Sequence, residues 1–207
     1  MHGRSATAVR LLLWCACLLS LAACASGPPK HLDDGCKIFQ EKDDWYEAAN
    51  DSYKKWGVPV HVQLAIMYQE SRFRSEAEAP DDTLLGFIPW GQVTTAYGYA
   101  QVLDSTWRWY KKSTGNRGAD RDDFDDATDF IGWYGNMSHN KLGISKWDAY
   151  NQYLAYHEGH GGWLRKTYNK KPWLISVAKK VKRRAARYAV QLKRCKDELD
   201  DGSGWFW

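Results

Sequence analysis

Leu64-Ala65-Ile66-Met67-Tyr68-Gln69-Glu70-Ser71 ends a strongly apolar helical stretch on a carboxylate, and the rest of the chain can be placed around it. Pro59 suits a first helical position, because its missing N–H would have no intrahelical partner there and its ring presets φ. The helix is therefore expected over about residues 59–71. Val60, Leu64, Met67, Tyr68 and Ser71 recur at steps of three and four, which turns an apolar stripe towards a core. Glu70 stands beside that stripe, one turn after Ile66. A carboxylate in a last turn meets the negative end of the helix dipole, and aromatic surroundings disfavour its charged form further. Both effects raise its pKa, as a general acid needs. A Glu on a solvated helix end fits the same eight residues equally well.

The chain has 207 residues, 44% of them hydrophobic and 26% charged, which describes one globular domain with processing segments. Its 12 Trp, 12 Tyr and 6 Phe exceed what a small core requires, so some are expected to line a cleft and stack on sugar rings or bases. The formal charge is +4, and removing Arg4 and Arg10 with a leader leaves 27 Lys and Arg against 25 Asp and Glu. That balance does not call for nucleic acid.

Residues 1–23 read as a secretory signal: Arg4 and Arg10 make a basic start, residues 11–23 form an apolar run too short to span a bilayer comfortably, and small residues precede Cys24. Leu21-Ala22-Ala23-Cys24 resembles the bacterial lipobox, which implies cleavage before Cys24 and lipidation of its thiol and amine. Several acyl chains anchor stably where one does not. Ala25 is not the Asp that often retains lipoproteins in the inner membrane, so the expected location is the periplasmic face of the outer membrane. A cleaved signal with a soluble product is the alternative. Cys15 and Cys17 leave with the signal and Cys24 takes lipid, which leaves Cys36 and Cys195 to pair in an oxidising compartment.

Residues 24–42, with Gly27-Pro28-Pro29, read as a lipid-anchored tether, and residues 43–196 as the folded domain. Asp43 or Asp44 can cap a helix that places Trp45, Ser52 and Trp56 on one side and stops at Gly57. Residues 72–97 read as a loop forming a wall or lid of a cleft, with at most a short hairpin around Val93 to Tyr97. In Gly98-Tyr99-Ala100-Gln101, Gly98 would let backbone approach a ligand, and Gln101 offers an acceptor and donors. Asp104 can cap a helix through Trp107 and Tyr110 to Gly115. Asp120 to Asp129 reads as the acidic first turn of a helix continuing through Tyr134. A calcium loop fails there, since Phe124 supplies no side-chain oxygen and Asp125 occupies the position that needs Gly. Ser145 with Asp148 resembles a capping box, opening a helix that Gly159, Gly161 and Gly162 stop. His157 and His160 are three residues apart at that broken end, unlike the four-residue spacing of a zinc-binding His-Glu-x-x-His helix. No metal and no cofactor is expected. A helix over 172–196 carries a buried stripe and a basic remainder, which is either simply solvated or turned to anionic lipid or acidic polymer. Residues 197–207 read as a flexible aromatic tail.

Three of these stretches, in order, resemble the soluble-lytic-transglycosylase (SLT) domain of the lysozyme-like superfamily: Glu70-Ser71 at a helix end, Gly98-Tyr99-Ala100-Gln101, and Ala155-Tyr156-His157-Glu158-Gly159. The usual forms are Glu-Ser, Gly-Leu-Met-Gln and Ala-Tyr-Asn-x-Gly, and the resemblance spans about Trp45 to Tyr168. It implies an all-α, lysozyme-like single domain acting on peptidoglycan glycan strands as a monomer. By the same resemblance, Glu70 is the lone acid and base that cleaves between N-acetylmuramic acid and N-acetylglucosamine. The muramyl C6 hydroxyl then attacks internally and leaves a 1,6-anhydro end. Ser71, Tyr99, Gln101, Tyr156, His157 and Glu158 are the implied substrate contacts.

The sequence departs from the family pattern at His157, Glu158 and Tyr99-Ala100. A Glu158 facing Glu70 would raise its pKa or orient water for hydrolysis. A muramidase of the same fold and a non-catalytic wall-binding lipoprotein therefore stay open beside the transglycosylase.

Overall fold

The computed structural model describes residues 27–78 and 94–201, together with the backbone of two short strands at 83–84 and 88–89. The expected signal, the lipidation site Cys24, Val93 and the aromatic residues 202–207 lie outside the described residues. Helix α1 (Gly35–Glu41) opens on Asp34, whose carboxylate accepts from the N–H groups of Cys36 and Lys37. It buries Ile38 and Phe39 completely. Residues 35–41 thus belong to the folded body, and the expected tether ending at residue 42 is corrected, because these two side chains fill the core.

Helix α2 (Asp43–Trp56) ends on the left-handed Gly57, and α3 (Val60–Ser71) follows with Pro59 at its N-cap. The expected one-sided stripe on α3 is corrected: Val62, Leu64, Ala65, Ile66 and Met67 are all buried, so α3 is enclosed nearly all round. Each such aliphatic side chain stabilises the fold by about 1.5–3 kcal/mol when fully withdrawn from water. Gln63 is buried too, and its Nε2 donates to the carbonyls of Ala49 (3.2 Å) and Val58 (2.8 Å).

Strands β1 (Thr83–Leu84) and β2 (Ile88–Pro89) pair antiparallel, Thr83 opposite Pro89. The hairpin thus precedes its expected place at 93–97, where Tyr97 forms only single bridges to Glu78 and Val102. Helix α4 (Asp104–Thr114) has Leu103 at its N-cap, and Asp104 pairs with Arg121 at 2.9 Å in place of the expected capping role. Asp123 caps α5 (Phe124–Leu142), accepting from the Asp126 N–H.

Helix α6 (Ala149–Leu164) begins one turn later than the expected capping box, with Asp148 as the cap for the Asn151 N–H. The glycines do not stop it: the backbone breaks at Gly159 (φ 69°, ψ 160°) and resumes to Leu164. After a 3₁₀ turn (Thr167–Lys170), α7 (Pro172–Asp200) runs past the expected end at Lys196. Leu199 is buried there, which extends the body into the segment expected to be a free tail. Among the described residues no helix is long and apolar enough to cross a membrane.

Around α3 stand α2, α5, α6 and α7, with α5 laid along α2 and α7 along both α3 and α6. Arg184 of α7 sets its guanidinium 3.2 Å from the Tyr68 ring centroid, which fixes the last turn of α3. Cys36 and Cys195 are joined, with Cα atoms 6.1 Å apart and a sequence separation of 159. Closing so long a loop stabilises by about 4–5 kcal/mol in the chain-entropy description. The Cys36→Ser/Cys195→Ser variant is expected to unfold at clearly lower urea concentration, with a steeper slope because the freed unfolded chain exposes more surface; an unchanged midpoint would contradict this.

Candidate active site

Glu70 sits in the last turn of α3, which Ser71 ends before two consecutive left-handed residues, Arg72 (φ 53°) and Phe73 (φ 59°). Non-glycine residues occupy this region at a cost, of about 1–3 kcal/mol each, and persist where packing over-determines them. Phe73 is held in this way, buried between Trp45 (5.9 Å) and Tyr68 (6.2 Å). The chain therefore turns away sharply after Ser71 and leaves the Glu70 carboxyl facing the groups of α6.

Glu70 is half-buried as a residue, yet its Oε1 is sealed from solvent and has no hydrogen-bond partner. Desolvation lifts its pKa from 4.5 to about 8, and the nearby Tyr153 hydroxyl acts in the opposite sense. Tyr153 Oη is likewise buried without a hydrogen bond of regular geometry. The carboxylate pushes the phenols of both Tyr153 and Tyr156 upward, adding to their burial. Two α6 side chains three residues apart thus share one face towards Glu70.

Tyr156 also ties the second motif to the third, since its hydroxyl donates to the Ala100 carbonyl at 2.6 Å. Gln101 has a left-handed backbone (φ 47°) and donates from Nε2 to the carbonyls of Ala77 (2.6 Å) and Gly98 (2.9 Å). Its Oε1 accepts nothing among the described residues. Gly98 (φ 79°) is required for a reason other than the expected approach of a ligand: a Cβ there would lie 2.1 Å from the Arg121 carbonyl oxygen. The turn is packed backbone against backbone.

Other expected contacts stand elsewhere. Ser71 is buried, with its hydroxyl directed to the Met67 carbonyl at 3.4 Å. Tyr99 is buried edge-on against Trp45 (5.6 Å) and Phe124 (5.7 Å), so it anchors the turn in the core. Glu158 does not bear on Glu70. It accepts from Lys171 Nζ (2.6 Å) and from Thr167 Oγ1, with His157 Nδ1 at 3.2 Å, and these partners hold its pKa below the ordinary value against the effect of burial. His157 packs on Trp173 (5.2 Å), whereas His160 meets Ser138 (3.0 Å) and stacks on Tyr134 (4.6 Å). Among the described residues no three His, Cys, Asp or Glu side chains cluster as metal ligands.

Tyr153 was not among the expected site residues, although its three-residue offset from Tyr156 was readable. The site thus gathers a proton-retaining carboxyl, two phenols and a rigid turn around one helix end. Comparison with known protein families matches residues 12–195 to the transglycosylase SLT domain. The chain belongs to that family. No curated protein and no solved structure matches it. Membership gives this SLT domain its activity class, lytic transglycosylase action on peptidoglycan.

The electrostatics of this SLT domain can be checked by titration. The folded chain binds the Glu70 proton more tightly than the unfolded chain does, so raising the pH from about 4.5 to about 8 removes stability. Glu70→Gln is expected to gain in melting temperature over wild type as pH rises through that window, and a constant gap would refute the shifted pKa. Tyr153→Phe removes the group that holds the pKa down, so the window over which the Glu70→Gln gap opens should extend upward beyond about pH 8. Gly98→Ala should cost about 1–3 kcal/mol by overpacking and left-handed strain, read as a lower urea midpoint.

Proposed function

We propose that this protein is a peptidoglycan lytic transglycosylase in which Glu70 is the sole acid and base. The observation that carries the reading is the Glu70 carboxyl at the end of α3, its Oε1 buried without a partner, so that desolvation raises its pKa with no second carboxylate among the described residues contributing. Protonated Glu70 donates to the glycosidic oxygen between N-acetylmuramic acid and N-acetylglucosamine as the C1–O bond breaks. The resulting carboxylate takes the proton of the muramyl C6 hydroxyl while that oxygen bonds to C1. A 1,6-anhydro ring closes, no water is consumed, and Glu70 ends protonated again.

In this reading the substrate's acetamido group stabilises the positive anomeric carbon, so the enzyme needs no nucleophile. Tyr156 stands near that acetamido group and Glu70, and the unpaired Oε1 of Gln101 is left for a glycan donor. The engagement of Glu158 by Lys171, Thr167 and His157 weighs against its use as the base of a hydrolase. We further infer export and anchoring through Cys24 at the periplasmic face of the outer membrane, on the strength of the charge, length and small-residue pattern of residues 1–24.

Mass spectrometry of fragments released from purified peptidoglycan tests the chemistry. Wild type is expected to yield anhydromuramyl ends, and Glu70→Gln to lose at least about a thousandfold in rate. Reducing ends alone would identify a hydrolase, and equal glycan binding without turnover a non-catalytic binder. Cys24→Ser is expected to move the protein from the membrane fraction to the soluble one.

A further inference from the structure

We propose that the exposed face of α7 is a docking surface for the anionic headgroups of a phospholipid bilayer. From Pro172 to Lys196 this helix carries many Lys and Arg and not one Asp or Glu; its acids, Asp197, Glu198 and Asp200, are confined to the last turn. Its buried side, Leu174, Val177, Val181, Ala185, Tyr188 and Cys195, is spent on the core. At 3.6 residues per turn, Lys179, Lys180, Lys182, Arg183, Lys193 and Arg194 fall within about 160° on the opposite side. All six are exposed. None of these six has an ion-pair partner among the described residues, whereas Arg184, on the flank, and Arg187, which falls within the same arc, both pair with Asp33. A face that was merely solvated would ordinarily mix signs, as the outer side of α2 does with Asp51 and Lys54. Val190, 55% exposed, lies in the middle of the cations, where an apolar side chain meets the boundary between headgroups and acyl chains.

The N-terminal segment argues for a membrane as the occupant. It lies along the flank of this face: Tyr188 Oη donates to the Leu32 carbonyl, and Gln191 Nε2 to the Asp33 carbonyl at 3.0 Å. Pro29 is already buried against the body. Whatever path residues 24–28 take, five residues keep Cys24 within about 18 Å of Pro29. An acyl anchor on Cys24 would therefore keep Pro29, and with it the segment that touches α7 at residues 32 and 33, near the bilayer surface. The six aspartates between Asp120 and Asp129 belong to the start of α5, which packs chiefly on α2 and α6. An anionic surface would attract the cationic face of α7, which fixes orientation as well as distance. The inference does not depend on the chemistry of Glu70.

The test uses the full chain carrying Cys24→Ser, so that no acyl group contributes, with vesicles of phosphatidylcholine alone or mixed with phosphatidylglycerol. Binding is expected only to the anionic vesicles, to weaken with salt, and to fall about a hundredfold when Lys182, Arg183, Lys193 and Arg194 are all changed to Gln, from a few-fold per cation after screening. Thermal unfolding and turnover of soluble glycan fragments should be unchanged in that variant. Equal binding to neutral vesicles, or equal binding by the four-residue variant, would overturn the proposal. So would tight binding to soluble polyphosphate with none to vesicles, which would make the face a site for an acidic polymer.

Discussion

Withholding water from one carboxyl at the end of an enclosed helix is the constraint to which the other parts of this molecule answer. A helix buried on one side would leave the last turn half in solvent, and its Glu would ionise as an ordinary carboxylate. α3 is instead covered by α2, α5, α6 and α7, so the Glu70 side chain emerges among apolar and phenolic neighbours. Burial of Val62, Leu64, Ile66 and Met67 supplies the stability. The same burial supplies the electrostatics, because the medium that favours aliphatic side chains disfavours a charge.

Sharp turns complete what burial begins. Arg72, Phe73 and Gln101 all adopt left-handed backbone without being glycine, and all three flank Glu70 or the turn that Tyr156 grips. Such conformations survive only when fixed contacts outweigh them. Here the contacts are visible: Phe73 in an aromatic cluster with Trp45 and Tyr68, and Gln101 bound to two backbone carbonyls. The many aromatic rings thus serve chiefly as structure. The stacked pair Trp45 and Phe124, 3.8 Å between centroids, lies under Tyr99 and keeps the turn in register with α5.

Helix α7 has a double character. One side closes the core and carries Cys195, which is bonded to α1. Arg184 reaches from its flank to both Tyr68 and Asp33, joining the last turn of α3 to the N-terminal segment. The cations beyond that flank have no comparable partners, and their concentration on one helix gives the molecule an electrical direction.

Period and punctuation in the sequence were enough to locate most helices, since apolar spacing and glycines such as Gly57 and Gly115 act through local backbone preferences. Three short motifs were enough for the family, because Glu70, the Gly98–Gln101 turn and Tyr156 each need a particular residue type. What neighbours in space contribute was not local and was not legible. The sequence could not tell whether Glu158 faced Glu70, because Lys171 and Thr167, which capture it, lie on the far side of the Gly159 break. Nor could it show that Ser71 and Tyr99 point into the core, that α3 is enclosed nearly all round, or that Tyr153 joins Tyr156 beside the carboxyl. Residue types and spacing fix which groups are present and which face of a helix they share. Only the packing of one helix against another decides which of them lose their water, and that loss sets the pKa of Glu70.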